Sequence, residues 1–176
     1  MTGPLHHAHQ HHISPEARKA PIFKMSYVVP ALTKIGLWSP QAEALIMGTA
    51  AIESRFFYTK QITGPALGYW QMEPDTHDAL WDGILDQAAH ANLAGNLQGL
   101  TDGKDPDFRL LQTNHVYAAA MARMKYLSCS GSIPTSLASQ ADYWKSKYNC
   151  SPHGRSAEDY KTTWRDLCAK TYPLFS

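Results

Sequence analysis

One chain of 176 residues is long enough for a single well-filled core and too short for two ordinary domains. Its 16 Lys and Arg against 15 Asp and Glu leave a formal charge of +1, so no broad basic field is present to hold nucleic acid phosphates. No apolar run approaches the roughly 18 residues of a membrane span, and a soluble chain that binds a neutral polymer such as a glycan, with no nucleic acid or membrane partner, is the expectation.

Five of the nine histidines fall within Met1–Ile13, with Gly3 and Pro4 and almost nothing to bury. A flexible His-rich segment over residues 1–20, followed by one domain over 21–176, is therefore expected. Such a tract can bind metal, but its isolation reads as a solvated tail. Nothing in the first residues combines a basic segment with an apolar stretch and a small-residue cleavage site, which makes synthesis in a cytoplasm the expectation. Apolar residues from Val28 to Leu37 predict a short helix over 26–37, with Pro30 in its first turn.

Ser39-Pro40 reads as an N-cap followed by proline at the first helical position, opening a helix that continues to about Ser54. Its later part, Leu45 to Ile52, carries no charge, which predicts burial nearly all round. Gly64, Pro65 and Gly68 mark a turn or a short irregular hairpin, and Thr76 is placed to cap a short helix through Leu85. The Ala- and Asn-rich stretch from Gln87 to Leu100 is only weakly helical in pattern. Asp105-Pro106 repeats the cap-plus-proline signal and predicts a long helix to about Ser128, with His115 a satisfied core histidine within it. Further helices are expected over 136–147 and, from a capping-box-like start at Ser156–Asp159, through Lys170.

Cys129, Cys150 and Cys168 are too few for a disulfide framework and lack the close spacing of a zinc or redox pair, so they read as structural thiols, with a Cys129–Cys150 bridge open in an oxidising compartment. His77, His90, His115 and His153 show no helical metal-ligand spacing, and no metal or cofactor is expected.

Two places carry chemistry. Glu53 follows eight uncharged residues and sits near a helix C-terminus; desolvation and the negative end of the helix dipole both favour its protonated form. A carboxylic acid that keeps its proton near neutral pH is what cleavage of a glycosidic bond requires. A solvated Glu at a helix end leaves the same local signature. The second place is Gly64-Pro65-Ala66-Leu67-Gly68-Tyr69-Trp70-Gln71-Met72-Glu73-Pro74, where glycines allow close backbone approach, Tyr69 and Trp70 offer flat faces on which sugars stack, and Gln71 presents an amide.

In this order, Glu53-Ser54, the Gly64–Pro74 segment and Tyr148-Asn149 resemble the three motifs of lytic transglycosylases of the soluble-lytic-transglycosylase type, in the lysozyme-like superfamily and particularly its phage-encoded members. Gly68 to Gln71 with Pro74 and Thr76 match the second motif, and Asn114 resembles a further common position. The likeness spans roughly residues 40–150. It implies a mainly α, goose-type-lysozyme-like domain with at most a small hairpin beside the cleft, acting on peptidoglycan strands. Glu53 would be the single acid/base and Ser54 would orient it or contact a sugar. Gln71, Tyr69 and Trp70 would line the cleft, Tyr148 would hydrogen-bond into the site, and Asn149 would hold its loop.

The chain departs from the pattern where Tyr69-Trp70 replaces an aliphatic pair, and where Lys147 and Cys150-Ser151 flank the third motif. Glu73, Asp75 and Asp78 lie just beyond the second motif, where one of them could activate water and make the reaction hydrolytic, although all three also suit a helix start. A virion structural or wall-binding protein that keeps the fold without useful catalysis is the non-enzymatic alternative. Either it accumulates in a host cytoplasm to act on the periplasmic wall, or it travels with virion components.

Overall fold

The computed structural model describes residues 14–176, and the expectations for Met1–Ile13, flexibility and metal binding alike, lie outside them. The architecture is mainly helical. Helix α1 (Pro15–Phe23) begins where Ser14 Oγ accepts the Ala17 N–H at 3.1 Å, and it buries Ala20 and Phe23. Helical structure is thus already present at Pro15, ahead of residue 21, because Ser14-Pro15 is itself a cap-plus-proline signal and two apolar residues behind it reach the core. A wide π turn, Lys24–Val28, joins α1 to α2 (Val29–Lys34). It falls where Pro30 has no N–H to give the preceding turn. The helix predicted over 26–37 is thus the second half of a longer one. It ends early, at a Schellman motif in which Gly36 (φ 71°) donates to Thr33 and Leu37 donates to Leu32.

Helix α3 (Pro40–Ser54) has the predicted bounds, with Ser39 Oγ accepting the Ala42 N–H at 3.1 Å. Residues Ala42 to Ile52 are all buried, as the uncharged run implied. Contacts with α2, α7 (His115–Leu127), α8 (Leu137–Lys147) and α9 (Ala157–Leu167) surround it. Gly48 is the point of closest approach: a Cβ there would lie 2.0 Å from the Tyr160 hydroxyl of α9. On another side Thr49 Oγ1 donates to Leu45 O at 2.7 Å and lies 2.8 Å from the Tyr126 hydroxyl of α7.

Beyond α3 the chain makes two isolated antiparallel bridges, Lys60 to Leu67 and Leu67 to Met72, which form the irregular hairpin expected there. Gly68 (φ 73°) must be glycine on two counts, since a Cβ would also meet Leu111 O at 2.2 Å. Helix α4 (Pro74–Leu80) starts at Glu73-Pro74 and not at Thr76, because proline at the first position is already set in helical φ. A π segment, Trp81–Leu85, continues it to the expected end. The 3-10 turn Ala88–His90 and α5 (Ala91–Gln98) follow.

No helix opens at Asp105-Pro106. Instead α6 is a short Leu110–Thr113 turn, and Asn114 breaks the path with extended φ and ψ. Its Oδ1 accepts the Tyr117 N–H at 3.0 Å and its Nδ2 donates to Leu100 O at 2.6 Å, so one side chain both caps α7 and ties down the preceding loop. His115, at the first position of α7, is half-buried, and its Nδ1 has no hydrogen-bond partner; its ring packs on Tyr27 and Tyr69, so it is not the satisfied core histidine expected. Helix α8 begins after Ser136, and α9 has the Ser156–Asp159 capping box, ending at Leu167 rather than Lys170. No described helix is long and apolar enough to cross a membrane.

Candidate active site

Buried α3 delivers Glu53 to its last turn and then stops abruptly. Arg55 (φ 53°) and Phe56 (φ 57°) are both left-handed, so the chain leaves the helix axis just past the carboxylate. Two consecutive non-glycine residues in that region cost energy that the surrounding core must offset. Glu53 is half-buried at the inner wall of a cleft of about 610 Å³, lined also by Gln71, Glu73, Lys125, Tyr148 and Asn149, with Ser151, His153 and Arg155 at its rim.

Trp144 of α8, fully buried, donates its Nε1–H to Glu53 Oε1 at 3.0 Å. Burial pushes the Glu53 carboxyl above the usual glutamate range; the Trp144 N–H, the Arg155 charge, the Asn149 side chain and the Lys125 charge pull the other way. Desolvation is the larger influence. A group so placed holds a proton for a leaving oxygen and also has donors ready for the carboxylate left behind.

Tyr148 stands beside it. Its hydroxyl donates to Trp70 O at 2.8 Å, and burial followed by the Glu53 charge keeps the phenol protonated far above its ordinary range. Gln71 lines the cleft with a left-handed backbone (φ 46°); one Nε2–H is given to Gly68 O at 2.8 Å, which leaves the second N–H and the oxygen to meet a ligand. Glu53, Gln71, Tyr148 and Asn149 are therefore brought together.

Three expected site residues lie elsewhere. Ser54 is buried, and its hydroxyl donates to Ala50 O at 3.0 Å, because a serine in the last turn of a helix finds the carbonyl one turn back. Neither the Glu53 carboxylate nor a sugar is its partner. Trp70 is no stacking platform: its indole is in the core, donating to Ile46 O at 2.9 Å, and only its carbonyl serves the site, through Tyr148. Tyr69 turns to a cluster with Phe23, Tyr27 and His115. Both aromatics gain more by completing the core around α1 than by facing water.

Of the acids past the hairpin, Glu73 alone lines this cleft. Asp75 faces a shallower depression beside Lys125, and Asp78 pairs with His77 at 2.7 Å. A larger hollow of about 690 Å³ lies on the far side of α4. Its histidine, His77, is held between Asp78 Oδ1 and the Tyr117 hydroxyl, both at 2.7 Å, and that hydroxyl accepts the Trp81 Nε1–H at 2.9 Å. Both His77 ring nitrogens, the Tyr117 hydroxyl and the Trp81 N–H are engaged within the fold, which makes it a structural network. Among the described residues no three His, Cys, Asp or Glu side chains are grouped as a metal ion would need. All three cysteines are free thiols, and only Cys168 is a core residue; Cys150 is exposed at the cleft.

Sequence reasoning missed Trp144, Lys125 and Arg155. Trp144 stands 91 residues from Glu53. No local pattern announces it, because a contact across that separation leaves no trace in residue spacing. Compared with protein-family models, curated proteins and solved structures, the chain matches none.

Proposed function

We propose that the protein is a lysozyme-like lytic transglycosylase that cleaves the β-1,4 bond between MurNAc and GlcNAc in peptidoglycan strands. One observation carries the reading: the Glu53 carboxyl, raised in pKa by burial, faces an open cleft at the end of a core helix and has an indole N–H on one oxygen. Glu53 protonates the glycosidic oxygen, and positive charge grows on the MurNAc anomeric carbon, where the substrate's own N-acetyl group stabilises it. As a carboxylate, Glu53 then takes the proton of the MurNAc 6-hydroxyl, which attacks the anomeric carbon and closes a 1,6-anhydro ring. The proton given is recovered and no water is consumed, so one carboxylate suffices where glycosidases ordinarily use two.

Glu73 on the same cleft supports a second reading, hydrolysis by a goose-type-lysozyme-like muramidase, with Glu73 activating water. A wall-binding or virion role without catalysis gains less support, since the Glu53 carboxyl is neither turned from the cleft nor covered by Trp70. In either enzymatic reading the chain is made in a host cytoplasm for release onto the periplasmic wall, or is carried with virion components.

Digestion of purified peptidoglycan with wild type, Glu53→Gln and Glu73→Gln, followed by mass spectrometry of the soluble muropeptides, tests this. Transglycosylation gives anhydro ends, lighter by one water, that vanish in Glu53→Gln and persist in Glu73→Gln. Reducing ends lost in both variants mean hydrolysis, and no products from folded wild type overturn the enzyme reading.

A further inference from the structure

Lys125 is an unusual residue for the wall of a cleft. It lies in the last turn of α7, and its ammonium donates to Tyr148 O at 2.7 Å while standing 4.1 Å from the centroid of the Tyr148 ring. One side of it lines the cleft with Glu53, and the other lines the neighbouring depression with Asp75 and Thr76. A lysine held over a ring and fixed on a carbonyl has surrendered much of its hydration and rotamer freedom, and needs a compensating negative group.

We propose, building on the acid/base reading of Glu53, that Lys125 is a positioning residue of this site: fixed on Tyr148 O, it anchors the loop carrying Tyr148 and, together with Arg155, places positive charge on the cleft that Glu53 lines. The geometry makes the two tasks one. If the ammonium left the Tyr148 carbonyl, the backbone that sets the Tyr148 hydroxyl on Trp70 O would lose its tie to α7. Charge and position would be lost together.

The groups around the pair are few. Glu53 accepts from Trp144 of α8 and shares its cleft with Tyr148, Asn149 and Arg155 from the segment after α8 and with Lys125 of α7. Lys125 shares the cleft with Glu53, Glu73 and Cys150, and the neighbouring depression with Asp75, Cys129 and Lys147. Burial disfavours its charge, and Glu53 is the foremost group that restores it. Coupling between two titrating groups is reciprocal, so each must feel the loss of the other.

The experiment is an NMR titration of the full chain with side-chain labels on Glu and Lys, in wild type, Lys125→Met, Lys125→Arg and Glu53→Gln. Lys125→Met keeps the apolar stem and removes the charge; the Glu53 midpoint should rise, while Lys125→Arg should leave it near wild type. Reciprocally, the Lys125 midpoint should fall in Glu53→Gln, a measurement that stands even if Lys125→Met does not fold. The basic limb of muropeptide release should move with the Glu53 midpoint. Unmoved midpoints in both directions would overturn the inference in an enzyme that remains active. Coupled midpoints in a protein that releases no muropeptides would overturn the catalytic reading and leave the charge pair standing.

Discussion

Replacing Glu53 by Gln should make the protein more stable at neutral pH while removing its chemistry. Burial raises the carboxyl's pKa in the folded state, so folding at pH 7 includes the cost of carrying a charge into a desolvated place. Glutamine has the same shape, needs no ionisation, and keeps an oxygen to accept the Trp144 N–H, so that cost disappears while the hydrogen bond survives. Trp144 and the two cations have already offset part of the penalty, which leaves a gain on the order of 1 kcal/mol, or about 2–4 °C in Tm for a domain of this size. The sign follows from linkage. A carboxyl raised in the folded state contributes no penalty below its unfolded value of 4.5, and the penalty builds as pH rises from there to the folded pKa. Melting curves of wild type and Glu53→Gln should therefore separate at pH 7 and converge near pH 4. A variant that melts lower at pH 7, or keeps its advantage undiminished in acid, would refute the reasoning.

Trp144→Phe removes the donor that favours the Glu53 carboxylate; a loss of about 1.5 kcal/mol moves the basic limb of the cleavage profile up by about one pH unit, read from muropeptide release against pH. Gly48→Ala should destabilise despite a helix-propensity gain of about 1 kcal/mol, because the added methyl collides with the buried Tyr160 ring; a net loss of about 1–3 kcal/mol is expected in denaturant melts. Ser54→Ala should leave both cleavage and stability nearly unchanged, since the hydroxyl only back-bonds to Ala50 within its own helix; a large drop in turnover would return Ser54 to the site.

What could be read from the sequence was what is decided locally. Ser39-Pro40 and the Ser156–Asp159 box set helix starts through bonds spanning three residues, and the uncharged run before Glu53 declared its own burial. Asp105-Pro106 misled because a cap signal has meaning only if the next turns can form. Asn114 offers the backbone a competing arrangement, and its tie to Leu100 lies 14 residues away. Tyr69 and Trp70 were chemically fit to stack on sugar, but the sequence does not say which face of a turn is wet. Phe23, Tyr27 and the Ile46 carbonyl decide that from elsewhere in the chain. For the same reason the carboxyl was legible and its indole partner was not.

The enclosure of α3 divides the cleft into two kinds of wall. The side that carries Glu53 is continuous with the core, and a change there is felt in α7, α8 and α9 at once. The rim from Cys150 to Arg155 is exposed. Under the proposed function, ligand contacts can vary along that rim one residue at a time at little cost to the core, whereas a change in the packing around Glu53 spreads through the domain even though the carboxyl itself can be exchanged for an amide in place.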